Sequence, residues 1–125
     1  MDFELRSDLP FIGLTLVYRA TQFEVNDVLI DTGSATTLFA SDCLSRFEIV
    51  PQSGDKIRKI TGVGGSEYVI EKRIDAIIVG DTVIKDVCIE IGEMDYGFTI
   101  NGILGSALLA KARATINYKN NTITF

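Results

Sequence analysis

The stretch Val28-Leu29-Ile30-Asp31-Thr32-Gly33-Ser34 decides how the rest of this sequence is interpreted. Three apolar residues end a segment that is expected to be a buried strand, and a carboxylate follows directly at its terminus. The Thr32 and Ser34 hydroxyls and the Gly33 N–H are potential donors to that carboxylate, and glycine permits a close backbone approach. Taken alone, the pattern also fits an ordinary turn, since Asp and Gly are common turn residues.

A second apolar segment, residues 98–105, ends in Ile103-Leu104-Gly105 and runs into the clearest helical signal in the chain. Residues 106–113 are rich in Ala and Leu, begin with a potential cap at Ser106 and carry Lys111 and Arg113 near their end. Good helix formers, a hydroxyl at the start and cations at the end favour a helix. We therefore predict one short helix near the C-terminus, which begins directly after Gly105.

The remaining chain has a period of two, which predicts strands. A shorter helical segment is expected at residues 41–47, where Ser41 is a potential cap. The run Gly62-Val63-Gly64-Gly65-Ser66 separates two long strand segments and predicts a hairpin tip. The predicted strands are residues 11–18, 23–30, 56–61, 67–79, 83–91, 114–118 and 122–125. Residues 1–125 are thus expected to form one mostly-β domain, a barrel or a closed sandwich.

Composition excludes several classes of function. The chain has 125 residues, 46% of them hydrophobic and 23% charged, which is typical of one globular domain. The net charge of −5 disfavours binding to nucleic acid or to an anionic membrane. Histidine is absent, which excludes Ser-His and Cys-His catalysis and any His-ligated metal. Carboxylates, lysines, tyrosines and thiols remain for acid–base chemistry.

The two cysteines, Cys43 and Cys88, lie far apart and lack CxxC spacing. We expect both to be buried and reduced, and we expect no metal site and no cofactor. The acids Asp75, Asp81, Asp86, Glu90 and Glu93 alternate with apolar residues, which predicts a solvated sheet face rather than a metal site. The charged N-terminus lacks the pattern of a signal peptide, and no apolar run is long enough to span a membrane. These features predict a cytoplasmic protein.

Taken together and in this order, Asp31-Thr32-Gly33-Ser34, the glycine-rich hairpin and Ile103-Leu104-Gly105 resemble the signature of the retropepsin-like aspartic proteases. The likeness covers residues 11–125. It implies a closed acid-protease β-barrel with one short C-terminal helix, and a peptidase that acts on protein or peptide substrates. Asp-Thr-Gly alone is a weak signal, whereas three elements in the expected order are specific.

The resemblance also assigns roles to individual positions. Asp31 matches the catalytic aspartate, and Thr32 the hydroxyl residue that ties two active-site loops together. Gly33 and Ser34 match the amide and the outer hydroxyl that hydrogen-bond to the carboxylate. The remaining matches concern substrate binding, at the hairpin tip or flap and beneath the catalytic loop: Gly62, Val63, Gly64, Gly65, Ile103, Leu104 and Gly105.

The chemistry of this family needs two aspartates, of which this chain supplies one. Two adjacent carboxylates share one proton, because both cannot ionise at close range; aspartic proteases are the standard example. The resemblance therefore implies a C2 homodimer whose two Asp31 residues meet on the axis. The chain departs from the family pattern at Thr61, where pepsin-like enzymes have tyrosine, at Ser106, and in the hairpin that follows the helix.

Two other hypotheses remain open from the sequence. One is a dimerisation or peptide-binding module that keeps the protease fold and cleaves weakly or not at all. The other is an unrelated β-barrel with a coincidental motif. Fold alone does not establish function. Assays of peptide cleavage and of self-association would distinguish these two hypotheses from the peptidase.

Overall fold

A computed structural model describes residues 1–62, 65–94 and 99–125, with the side chains of 61, 62, 65 and 66 left aside. The strands are β1 (Glu4–Arg6), β2 (Leu9–Tyr18), β3 (Thr21–Asp31), β4 (Leu38–Ala40), β5 (Lys56–Gly62), β6 (Gly65–Val79), β7 (Thr82–Gly92), β8 (Gly102–Gly105), β9 (Thr115–Asn117) and β10 (Thr122–Thr124). Two helices are described, α1 (Ser41–Ser45) and α2 (Ser106–Lys111). The predicted mostly-β domain with a short C-terminal helix is confirmed.

Six of these strands close into a barrel. Their order is β2-β3-β8-β4-β7-β6, and β6 pairs with β2 to complete the circle, while β1 and β5 extend the sheet. Closure removes exposed sheet edges from the barrel and leaves β5 as an outer edge strand. The closed barrel expected from the resemblance is confirmed.

The core fills the barrel because inward positions of the strands are apolar at alternate residues. Its fully buried side chains include Leu16, Val28, Phe39, Ile77 and Leu104. A separate small cluster on the other side of the sheet joins Phe11, Leu29 and Ile100, with Ile103 packed against it. This second cluster adjoins the end of β3 and therefore lies close to Asp31.

Both helices begin without the side-chain caps predicted for them. The N-caps are Ala40 for α1 and Gly105 for α2, and neither helix has a side-chain cap hydrogen bond. The predictions of Ser41 and Ser106 as caps are therefore wrong. At α2 the reason is physical, since backbone carbonyls of the Asp31 loop take the amides that a cap would serve.

Two expectations for exposed and buried residues also need correction. Cys43 is buried as predicted, but Cys88 is exposed, and both thiols are free. Asp75, Asp81, Asp86 and Glu93 are exposed as predicted, whereas Glu90 is only 4% exposed. Residues 88 and 90 both lie on β7 with outward-facing parity, and Glu90 is covered because β4 and the side chain of Arg58 lie against it.

The two termini of the chain meet. β9 and β10 form an antiparallel hairpin, and the N-terminal segment pairs with β10 through Asp2 and Thr122. The Phe3 N–H donates to the Asn121 carbonyl oxygen at 2.9 Å. Neither described helix is long and apolar enough to cross a membrane.

Candidate active site

Asp31 is the last residue of β3, where the strand leaves the barrel. β3 runs parallel to β8, and Asp31 is the direct register partner of Gly105. Val28, Leu29 and Ile30 are buried, while Asp31 is half-buried and the following Thr32 and Gly33 are exposed. The apolar residues fix the strand in the sheet, so the carboxylate is held at a defined point on the surface.

The turn after Asp31 supplies one hydrogen bond to its carboxylate. The Gly33 N–H donates to Asp31 Oδ1 at 2.9 Å, and the Ser34 N–H donates to the Asp31 carbonyl oxygen at 3.2 Å. A Cβ on Gly33 would lie 3.2 Å from Asp31 Oδ1, which is a tight contact. Glycine at this position therefore lets the amide approach the carboxylate.

Helix α2 is docked on the same loop from the other side. The Ser106 N–H donates to the Ser34 carbonyl oxygen at 2.6 Å, and the Ala107 N–H donates to that of Ala35 at 3.1 Å. Gly105 is buried against this loop, with only 2.0 Å between its ideal Cβ position and the Thr36 carbonyl oxygen. Only a residue without a side chain allows this approach.

The buried residue Thr37 joins the loop to both neighbouring strands. Its hydroxyl oxygen accepts the Gly105 N–H at 3.1 Å, and its carbonyl oxygen accepts the Glu90 N–H at 2.8 Å. The loop from Asp31 to Thr37 is thus anchored to β8 and β7 by backbone donors. Buried polar groups that are paired in this way hold a unique conformation.

An apolar cluster adjoins the end of β3. Ile103 is the register partner of Leu29, is half-buried, and packs against the cluster of Phe11, Leu29 and Ile100. Leu104 points the other way and is fully buried in the core. Of the two apolar residues in this motif, Ile103 alone retains exposed surface, and Leu104 supports the loop from within.

The β5–β6 hairpin forms the extension expected for a flap. Its strands pair from Lys56 and Glu71 up to Gly62 and Gly65 at the tip. Val63 and Gly64, which were predicted to contact substrate, lie outside the described residues. The hairpin therefore has the predicted position in the chain, and its role over Asp31 remains a prediction.

Two cavities formed by the described residues are not lined by Asp31. One, about 640 Å³, lies between the hairpin base and the segment after α1 and is lined by residues such as Ile57, Tyr68 and Ile91. A second, about 240 Å³, lies under α2 and is lined by Thr37, Glu90 and Leu108 among others. Asp31 itself is half-buried, and Thr32 and Gly33 beside it are exposed. Nor do the described residues contain any group of three or more potential metal-ligating side chains.

A comparison with protein-family models shows which family the chain belongs to. Residues 22–108 match the family model described as aspartyl protease, and this range contains Asp31, the hairpin and Gly105. The chain belongs to the aspartyl protease family. A comparison with curated proteins gave no match for this chain.

Among solved structures, this chain is similar in fold to a retropepsin-like aspartic protease from Rickettsia conorii. The TM-score is 0.69 at 15% sequence identity, and the match covers 98% of this chain and 95% of the other. At this identity the likeness concerns the fold. The resemblance to retropepsin-like proteases inferred from the sequence is thereby confirmed.

One predicted contact in the candidate site is wrong. Ser34 was expected to donate its hydroxyl proton to Asp31, but its Oγ donates to the Thr36 carbonyl oxygen at 2.9 Å. A hydroxyl has one proton to donate, so the Ser34 side chain stabilises the loop instead. Thr32 is exposed, and its predicted role of tying two loops together remains a prediction.

Sequence reasoning missed Thr37 and Glu90. Thr37 follows Thr36 in an unpatterned stretch, and nothing in the sequence marks it as the buried one. Glu90 follows the alternation of a solvated face, so its burial depends on Arg58, which is distant in the chain. The apolar neighbours Ile89 and Ile91 gave a weak signal, since a residue flanked by isoleucines is typical of a strand well inside the sheet.

Proposed function

We propose that this aspartyl protease is an endopeptidase that works as a homodimer, with the Asp31 carboxylates of two chains as its catalytic pair. The observation that carries the proposal is Asp31 itself. It stands half-exposed at the end of β3, with Oδ1 fixed by the Gly33 N–H and with exposed Thr32 and Gly33 beside it. A single half-buried carboxylate beside exposed residues, in a fold of this family, supports completion of the site by a second copy.

In the proposed reaction the two carboxylates share one proton. One of them, ionised, accepts a proton from a water molecule as that water attacks the scissile carbonyl carbon. The other, protonated, donates a hydrogen bond to the carbonyl oxygen as negative charge develops on it. The amide nitrogen then takes a proton and leaves as the amine, so the bond is cleaved by addition of one water.

The substrate is proposed to be an extended peptide. Substrate backbone would pair with strand edges near the site, as strand-addition ligands do, with β5 as the outer edge of the sheet. The half-buried Ile103 and its cluster with Phe11 and Leu29 support a preference for apolar side chains at the cleaved bond. No cofactor enters this mechanism.

The test combines mass in solution with cleavage. We expect light scattering to give twice the chain mass of 13.7 kDa at catalytic concentrations. We expect the dimer to cleave an apolar peptide library at acidic to neutral pH, and Asp31→Asn to reduce cleavage roughly a thousand-fold or more. The exposed Asp81→Asn is the control.

Two outcomes would contradict the proposal. A strict monomer at every concentration would leave each Asp31 without a second carboxylate. A dimer that binds peptide but turns over none, with or without Asp31, would instead assign the peptide-binding alternative.

A further inference from the structure

Glu90 is an unusual residue in this protein because its carboxylate is buried without being fully paired. It lies on β7 between Ile89 and Ile91 and is 4% exposed. Its Oε2 accepts from Arg58 Nε at 2.9 Å and from Arg58 Nη2, while Oε1 has no partner among the described residues. A buried carboxylate with one unpaired oxygen is costly, so its burial is poorly explained by stability alone.

The ion pair spans two strand spacings. In the sheet order β7-β6-β5, Glu90 reaches past β6 to Arg58 on the outer edge strand β5. Arg58 also lies 3.4 Å from Glu71, the register partner of Glu90 on β6. One guanidinium therefore joins two carboxylates and connects all three strands at the base of the hairpin.

The same residue is connected to the candidate active site. The Glu90 N–H donates to the Thr37 carbonyl oxygen at 2.8 Å, and the Thr37 hydroxyl accepts the Gly105 N–H at 3.1 Å. Gly105 is in turn the register partner of Asp31. Hydrogen bonds thus link Arg58 on the edge strand, through Glu90 and Thr37, to Gly105, which pairs with Asp31 in the sheet.

We propose that Glu90 and Arg58 are positioning residues that hold the β5–β6 hairpin at a fixed place relative to Asp31, and so set the affinity for extended peptide substrates. The inference rests on the proposed function. A charge-assisted contact in which two guanidinium N–H groups donate to Glu90 Oε2 gives a defined direction and distance, which an apolar contact at the same place would not. Because the pair acts on binding and not on the reacting atoms, its loss raises KM and leaves kcat nearly unchanged.

The experiment uses Arg58→Gln, since Arg58 is 43% exposed. The double variant Arg58→Gln with Glu90→Gln is measured beside it, because it removes the same contact without leaving an unpaired carboxylate in the sheet. The matched control is Arg73→Gln, which removes a strand-to-strand pair with Asp86 from the same sheet, where both partners are more than half-exposed. We expect Arg58→Gln to speed amide hydrogen exchange in β5 about ten-fold and to raise KM by a similar factor. For Arg58→Lys, which keeps the charge but not the planar guanidinium, we expect an exchange rate and a KM between those of the wild type and of Arg58→Gln. For Arg73→Gln we expect both values to match the wild type.

A binding measurement separates failure of this inference from failure of the proposed function. The Kd of a fluorescein-labelled apolar decapeptide is measured in the Asp31→Asn background, with and without Arg58→Gln. A weaker Kd with Arg58→Gln supports positioning even when no peptide is cleaved. An unchanged Kd, or β5 exchange equal to that of Arg73→Gln in a folded protein, overturns it.

Discussion

Gly105 lies so close to Thr36 that a Cβ added to it would stand 2.0 Å from the Thr36 carbonyl oxygen. This contact brings β8 and the start of α2 against the loop that carries Asp31. The register of Asp31 with Gly105 and the hydrogen bonds from Ser106 and Ala107 depend on it. The position of Asp31 is therefore determined as much by Gly105 on β8 as by the turn that follows Asp31 itself.

Substitution of Gly105 tests this dependence. We expect Gly105→Ala to destabilise the protein by about 3 kcal/mol or more, because backbone atoms must move to admit the methyl group. The control is Gly54→Ala, where φ is +96° but no atom lies within 4 Å of the new Cβ. That change should cost only about 1 kcal/mol from backbone strain, as measured by urea unfolding. Equal effects of the two substitutions would contradict the account of the loop.

The turn between β2 and β3 offers a stabilising change. Arg19 and Ala20 both have positive φ, at 51° and 63°, which is unfavourable for residues with a Cβ. Ala20→Gly should raise the free energy of unfolding by a net of about 0.5–1 kcal/mol. The relief of strain is expected to exceed the entropy that glycine adds to the unfolded chain. Ala110→Gly in α2, where φ suits any residue, should instead lower it by about 1 kcal/mol. A loss of stability in Ala20→Gly would show that the strain at its positive φ is smaller than the entropy that glycine adds to the unfolded chain.

The ion pair of Asp55 with buried Lys72 predicts a pH dependence. The Lys72 ammonium at 2.8 Å, and secondly the Gln52 N–H, lower the pKa of Asp55 below its ordinary value of 3.8. A depressed pKa in the folded state means that the pair contributes stability above the ordinary value and loses it as the pH falls through the lowered one. Asp55→Asn should therefore lower the melting temperature at neutral pH, and the difference should close in acid below the ordinary carboxyl range. Glu24→Gln is the exposed control, and a pH-independent difference would contradict the assignment.

The two thiols should differ in reactivity. Partial burial, followed by the charge of Glu71, raises the pKa of the Cys88 thiol despite the opposing Arg73. Cys88 is exposed and Cys43 is 3% exposed. Iodoacetamide should alkylate Cys88 alone, more slowly than free cysteine at mildly alkaline pH, while Cys43 should react only after unfolding. Glu71→Gln should speed the reaction of Cys88. Mass spectrometry over time measures both rates, and alkylation of Cys43 in the folded protein or an unchanged rate at Cys88 in Glu71→Gln would contradict the prediction.

Much of the fold could be predicted because its signals are local. The apolar strand before Asp31, the glycine-rich hairpin and the helix after Gly105 each follow from neighbouring residues. Barrel closure followed from the resemblance and not from any one strand. The caps at Ser41 and Ser106 were wrong, since at α2 carbonyls from the Asp31 loop occupy the helix amides.

The residues around the site were harder to predict because their environment comes from distant parts of the chain. Glu90 has the alternation of an exposed residue, and its burial depends on Arg58, which lies 32 residues earlier. Ser34 bonds to Thr36 because the loop curls back on itself, a feature that the motif does not reveal. Thr37 is buried only because β8 lies between β3 and β4.

The most direct test of the central claim is a mixing experiment with Asp31→Asn. If one site needs the Asp31 of two chains, a large excess of the variant will draw wild-type chains into mixed dimers. With wild type held constant and a nine-fold excess of Asp31→Asn, random pairing should leave about one-tenth of the cleavage rate, and Asp31→Asn alone should show almost none. A cleavage rate that is unchanged by the excess, in a mixture shown to exchange subunits, would contradict a shared site.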